Sequence, residues 1–417
     1  MRLFRFSLAL GCLLLAGLFA PGMTSAQNSR QAATDLSEVD ADFAVQGEYS
    51  GRVVENTERG PRAKKYGLQV VAQGGGEFIG KLYAGGLPGS GWDRETALSV
   101  AGKRNGDAVE LTGDDLQIAL EDGNARLASA ESQLVGRLAK VHRESPTLGK
   151  KPPAGAVVIF DGKETEHLKD AKITEDGLLR EGVELTKLAR DFQLHLEFRL
   201  PYMPYARGQG RANSGIYLHK RYEVQILDSF GLEGAFNEAG ALYREHKPLV
   251  NMCLPPLQWQ TYDIAFQAPR FDADGNKSQN ARVTVLLNGV PVHDNLDLAT
   301  ATGGGKRVGE GPNPLPIHLQ NHGNPVRFQN IWMVDFTKSE TKDEAKPAAS
   351  IASKSESANP AKPAAAVVPV PPISGYPYNN YVQDSLFPGG MVPAGVVPYY
   401  VPGYYAAPMP APVVWGW

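Results

Sequence analysis

The stretch Asn213–Gly231 reads NSGIYLHKRYEVQILDSFG, and its alternation decides the fold. Ser214, Ile216 and Leu218 alternate with Asn213, Tyr217 and His219. After a tight basic connection, Tyr222, Val224 and Ile226 alternate with Glu223 and Gln225. A period of two puts one set on one face of a strand and the other set on the opposite face. The apolar set faces a core. The other face then carries an amide, a phenol, an imidazole, a carboxylate and a second amide. So polar a face on a Val/Ile-rich strand pair predicts a binding surface.

Similar runs fill residues 157–337: Phe192–Leu200, Thr261–Phe266, Arg282–Leu287, Val290–His293, Ile317–Gln320 and Val326–Phe336. Asn288-Gly289 between two of them predicts a tight I′ hairpin, because this pair accepts the positive φ such a turn demands. No segment of helical period interrupts the series. The expected fold is all-β, with one antiparallel β-sandwich of jelly-roll or lectin-like type. Ahead of it, residues 45–145 hold strand-like runs at Gly67–Ala72, Phe78–Tyr83, Ala108–Thr112 and Leu116–Leu120, spaced by glycine-rich turns. A second, small β domain is expected there. Its Gly74-Gly75-Gly76 lacks the Lys-Ser/Thr of a phosphate loop and lies between strands, where turn chemistry accounts for it. Residues 146–156, with Lys150-Lys151-Pro152-Pro153, read as a linker.

The ends differ in composition. Arg2 and Arg5, the apolar run Leu8–Ala20 and the small residues Thr24-Ser25-Ala26 have the layout of a secretory signal peptide over residues 1–26. The run is too short to span a bilayer, so export without a transmembrane segment is expected. A polar leader follows over residues 27–44. From 338 to 417 the chain turns Ala/Pro/Lys-rich and then Pro/Tyr/Gly-rich. Such a tail cannot bury a core and is expected to be disordered, with aromatics suited to a cell-surface contact. Export leaves Cys253 as the only cysteine, so no intramolecular disulfide is available and Cys253 reads as a small buried hydrophobe. Lys and Arg total 42 against 45 Asp and Glu, a net charge of −3, which argues against a nucleic-acid partner.

Further polar faces follow from the same period. His318, Gln320 and His322 share one if that strand holds far enough, and Gln193, His195, Glu197 and Arg199 share another. Three neighbouring strands of this kind would make a concavity for a polyhydroxylated ligand. Glu223 and Asp228 form a glycosidase pair only if the chain bends sharply at Leu227; otherwise Glu197 or Glu238 would have to serve as the partner of Glu223. Extended chain separates Glu223 from Asp228 by about 16 Å and points the two to opposite faces. Asp228 instead suits the turn before Ser229-Phe230-Gly231. A divalent metal held by His219, Glu223 and His318 or His322 is left open, since imidazole and carboxylate suit several such ions. Asp272-Ala273-Asp274-Gly275-Asn276 lacks the remainder of an EF-hand and reads as a polar turn.

Phe160-Asp161-Gly162-Lys163, the quoted stretch, Asn251-Met252, LQWQTYDIAF (Leu257–Phe266), Leu287-Asn288-Gly289 and HLQNHGNPVRFQNIWMVDF (His318–Phe336) together resemble the 3-keto-disaccharide hydrolase domain family. The likeness runs over residues 154–337. It implies a concanavalin-like sandwich and action on glycosides oxidised to a ketone at sugar carbon 3. The carbonyl acidifies the proton on carbon 2, a base makes the enolate, the glycosidic oxygen leaves carbon 1, and water adds to the enone. The resemblance implies Glu223 as the base and His322 as an acid or metal ligand. It implies sugar contacts at Gln225, Gln320 and Asn213, with Tyr217 and His219 beside them. A carbohydrate-binding module without turnover and an adhesion scaffold are the alternatives. Release of reducing sugar separates the enzyme from both, and glycan binding without turnover separates the last two.

Overall fold

The computed structural model describes residues 32–129 and 134–337; the expected signal peptide and the expected tail lie outside the described residues. The described chain is all-β apart from short 3₁₀ turns, and every pairing between its strands is antiparallel. Among the described residues, no helix is long and apolar enough to cross a membrane.

Eight strands come first: β1 (Gly47–Thr57), β2 (Gly60–Gly74), β3 (Glu77–Ala84), β4 (Ala97–Asn105), β5 (Ala108–Thr112), β6 (Leu116–Glu121), β7 (Asn124–Ser129) and β8 (Leu134–Val141). Each pairs with the next, and β8 returns to β1, so the sheet closes into a barrel. Val53, Leu68, Leu82, Val109, Leu120 and Leu138 fill its interior. Eight strands leave just enough room for side chains, which explains a packed lumen. Half of these strands are missed by the sequence reading. β1, β4 and β8 carry exposed or half-buried polar residues at many positions, so their apolar alternation is faint.

Fourteen further strands follow: β9 (Val157–Phe160), β10 (Leu168–Lys169), β11 (Leu179–Arg180), β12 (Val183–Leu185), β13 (Phe192–Arg199), β14 (Ser214–Leu218) and β15 (Tyr222–Ile226). Then come β16 (Trp259–Gln267), β17 (Arg270–Phe271), β18 (Lys277–Gln279), β19 (Ala281–Leu287), β20 (Val290–Leu298), β21 (Ile317–Leu319) and β22 (Arg327–Asp335). One sheet has the order β10-β12-β21-β14-β15. A seven-stranded sheet has the order β11-β22-β13-β16-β19-β20, with β9 also on β22. Leu185, Ile216, Val224 and Leu319 of the first pack with Leu194, Phe198, Ile264 and Val285 of the second in one core. The turn between β19 and β20 has Asn288 at φ 52° and Gly289 at φ 73°, the positive values that Asn-Gly allows.

Barrel and sandwich touch. The Tyr205 hydroxyl accepts from the Gly75 N–H at 3.1 Å, and Arg207 donates to the Gln73 carbonyl at 2.8 Å. Lys81 pairs with Glu233 at 2.7 Å. The leader contributes as well: Ala33 bridges to Tyr202, and Asp42 is buried against Arg104 at 2.7 Å.

Candidate functional site

The site begins with register. Tyr217 lies opposite Glu223 across β14 and β15, Gly215 lies opposite Gln225, and His318 of β21 lies opposite Tyr217 on its other side. Cross-strand partners share a face, so the alternation becomes a two-dimensional polar patch. Tyr217, Glu223, Gln225, His318 and Gln320 form it, over a core of Ile216, Val224 and Leu319. The edge of β15 is covered. Gln225 N–H donates to Ala241 at 2.9 Å and Tyr243 N–H donates to Glu223 at 3.0 Å.

Glu223 is 3% exposed. Its Oε2 accepts from the Tyr217 hydroxyl at 2.7 Å, and its backbone N–H donates to Thr302 Oγ1 at 2.7 Å. Two glycines make room for the carboxyl. A Cβ on Gly215 would stand 2.6 Å from Oε1, and one on Gly303 would stand 2.8 Å from Oε2. Burial pushes the carboxyl up to about 7 against the opposing hydrogen bond from Tyr217 and the charge of Arg244. That is a carboxyl poised to exchange a proton near neutral pH.

Beside it opens a cavity of about 330 Å³ lined by Glu184, Tyr217, Lys220, Gly304, His318 and Gln320. Lys220 pairs with Glu184 at 2.6 Å and holds that carboxyl below its usual range. Burial depresses His318, so its imidazole is neutral at pH 7. His318 Nδ1, Gln320 Oε1 and Gln225 Oε1 have no hydrogen-bond partner although buried. Unpaired buried polar atoms are costly, and three of them on one patch suit a ligand that brings hydroxyl groups.

The remaining expected residues fall in different places. Gln225 and Asn213 stay on the patch but are tied to Gln209. Gln225 Nε2 donates to Gln209 Oε1 at 3.0 Å, and Asn213 Nδ2 donates to the Gln209 carbonyl at 2.9 Å. His219, expected on the polar face, is not there. The chain reverses at His219-Lys220, with φ of 50° and 55°, and this turns the imidazole into the core. There it meets Phe192 and Phe266 and bonds the Ala189 carbonyl at 2.9 Å. His322 is exposed on a loop, because β21 ends at Leu319 and the alternation does not reach it. A metal set of His219, Glu223 and His318 or His322 is therefore not assembled. Among the described residues, no group of three or more His, Cys, Asp or Glu is placed to hold an ion. Asp228 takes its turn role, accepting from Phe230 N–H at 3.3 Å and pairing with Arg211 at 2.7 Å. Cys253 is buried, and burial pushes its thiol up to about 12.

The third polar face belongs elsewhere. β13 sits in the seven-stranded sheet, so His195 and Glu197 look out from the opposite side of the sandwich. The segment read as a linker covers them. Gly149 N–H donates to Glu197 at 2.6 Å, Lys150 pairs with Asp263 at 2.9 Å, and His195 Nδ1 lies 3.0 Å from Asp263. Asn330 and Gln329 each donate to Glu197 at 2.7 Å, and Trp332 stacks on His195. His195, Glu197 and Asp263 are closed to solvent.

Sequence reasoning passes over Glu184, Lys220 and the segment Thr302-Gly303-Gly304-Gly305. The glycine run was the available signal: it lets backbone lie against Glu223, Tyr217 and Arg221, where any Cβ would collide.

Residues 155–334 match the model of a family described as the 3-keto-alpha-glucoside-1,2-lyase-like domain. No curated protein matches the chain. Two crystal structures of candidate glycosyl hydrolases from Parabacteroides distasonis ATCC 8503 are similar to it. One is 29% identical over 44% of this chain and 85% of that one, with a TM-score of 0.39. The other is 18% identical over 44% of this chain and 94% of that one, with a TM-score of 0.31.

Proposed function

We propose that this domain, a member of the 3-keto-alpha-glucoside-1,2-lyase-like family over residues 155–334, cleaves glycosides already oxidised to a ketone at sugar carbon 3. One observation carries the reading. A carboxyl buried to 3% exposure and poised at about 7 lies on a polar patch beside a sugar-sized cavity. General bases work best with a pKa near the operating pH. The ketone makes the proton on carbon 2 acidic, and Glu223 is the base whose carboxylate drives its removal. The electron pair of the broken C–H bond forms the enolate. The enolate then expels the glycosidic oxygen from carbon 1, and water adds to the enone.

The rest of the patch supplies binding. Gln320 and Gln225 oxygens and His318 Nδ1 accept from sugar hydroxyls, while Lys220, on the cavity wall, favours the developing enolate charge. The concanavalin-like, jelly-roll description of the sandwich and its export by residues 1–26 belong to the same proposal. N-terminal sequencing of protein recovered from the periplasm or medium tests the export, and an intact residue 1 there would count against it.

The decisive assay is release of reducing sugar from a 3-keto-disaccharide, with the unoxidised disaccharide as control. Turnover of the first and not the second is expected. Binding of plain glycans with no turnover of either would leave a carbohydrate-binding module in place of an enzyme.

A further inference from the structure

Glu223 is walled off from the cavity. Its Oε1 occupies the space over Gly215, and its Oε2 is flanked by Gly303 and by the Tyr217 hydroxyl. The residues lining the cavity include Tyr217 and Gly304 but not Glu223. The Tyr217 oxygen has two neighbours beyond its own ring: it donates to Glu223 Oε2 at 2.7 Å and accepts from Gln320 Nε2 at 3.4 Å. A Cβ on Gly304 would stand 3.0 Å from it, so the glycine keeps the phenol's surroundings open. Between the carboxyl and any ligand in the cavity stands one oxygen with an exchangeable proton.

We propose that Tyr217 is a catalytic residue, the group that touches the substrate and carries protons in both directions between it and Glu223. The inference rests on the 3-keto-glycoside reading given above. In the first step the C2–H bond breaks and its proton goes to the Tyr217 oxygen, while the phenolic proton passes to Glu223 Oε2. The electron pair left on carbon 2 forms the enolate. In the second step the C1–O bond breaks, Tyr217 gives its proton to the leaving oxygen, and Glu223 returns its proton to Tyr217. Carboxylate and phenol are restored, and water adds to the enone afterwards. Burial and the nearby Glu223 charge push the Tyr217 phenol well up, so a free phenolate is a poor resting point and the two protons move together. Both transfers use the same face of the sugar, so the relay predicts syn elimination.

Two measurements test this. On the wild-type protein, a C2-deuterated 3-keto-disaccharide is compared with the protiated one in H₂O and in D₂O. The relay moves the carbon-bound and the phenolic proton in one step, so both isotope effects should appear together on that step. A substrate effect with no solvent effect on it would mean direct abstraction by Glu223 and would overturn the inference. The second measurement is Tyr217→Phe, which keeps the ring and loses the oxygen. A kcat drop of roughly 10²-fold is expected, with KM little changed. The double variant with Glu223→Gln should be no slower than the slower single variant, because the two act as a unit. Tyr217→Phe at the wild-type rate would overturn the relay while leaving the 3-keto reading intact. Failure of the wild type to turn over any 3-keto-disaccharide would end both. If the variant does not fold, the isotope effects on the wild type still decide.

Discussion

Glu223 shows how one buried carboxyl couples activity and stability to pH. Its folded pKa, about 7, lies above the ordinary range because burial disfavours the charge. For a raised pKa, the stability it confers is fully present below the ordinary carboxylate value and is lost as pH rises through the folded value. Activity runs the other way, since the base must be ionised. The rate kcat/KM should therefore climb through about pH 7 as stability declines. Glu223→Gln removes both effects. Turnover of a 3-keto-disaccharide should fall by about 10²-fold or more. The variant should gain on the wild type in thermal stability as pH rises from 5 to 8, by something on the order of 3 kcal/mol at most. Equal melting curves at both pH values would show that the charge is not buried as described, and unaltered turnover would remove Glu223 from the chemistry.

At the scale of elements, the β14–β15 hairpin depends on where side chains are absent. Gly215 sits opposite Gln225 in register, and a Cβ there would stand 2.6 Å from Glu223 Oε1. Gly215→Ala should leave the hairpin paired, since strands accept alanine, but it should push the carboxyl off its hydrogen bond to Tyr217. A displacement near 1 Å can lower a rate by about 10²-fold. The expected outcome is a large fall in kcat with a melting temperature close to wild type; a rate near wild type would show that the carboxyl has room to spare. Alternation made the hairpin legible, because its two faces differ so sharply in polarity. It also placed Tyr217, Glu223, Gln225 and Gln320 on one patch. It overreached at both ends. His219 follows the period in sequence but occupies a turn with positive φ, and His322 lies past the end of a strand only as long as Ile317–Leu319. Period says which residues share a face only while the backbone stays extended. Glu184 was out of reach for another reason: it arrives from β12, and no local pattern announces a neighbour distant in sequence.

At the scale of the whole molecule, the same limit explains why the polar face of β13 misled. Its alternation is real, but nothing in it tells which of two sheets the strand will join or what will cover it. What covers it is the segment between barrel and sandwich. Lys150 reaches Asp263, Gly149 caps Glu197, and His195 lies between the two carboxylates. Burial opposes protonation of His195, yet its hydrogen bond to Asp263 and the charges of Asp263 and Glu197 outweigh it and hold the imidazole above its ordinary range. A raised histidine gives stability that is fully present below about pH 6.5 and is lost as pH rises through the folded value. The carboxylates thus rely on two cations at low pH and increasingly on Lys150 at high pH. Lys150→Met keeps much of the stem over Trp332 and removes the charge. Breaking a buried pair costs about 3–5 kcal/mol, and less is expected here, roughly 2–3 kcal/mol, because the Lys150 side chain is 24% exposed. The loss should be smaller at pH 6, where imidazolium still compensates, than at pH 8.5. Thermal melts of both proteins at the two pH values check it. A loss that is the same at both would mean that His195 does not share the load, and that the segment is held by its backbone and Trp332 contacts alone.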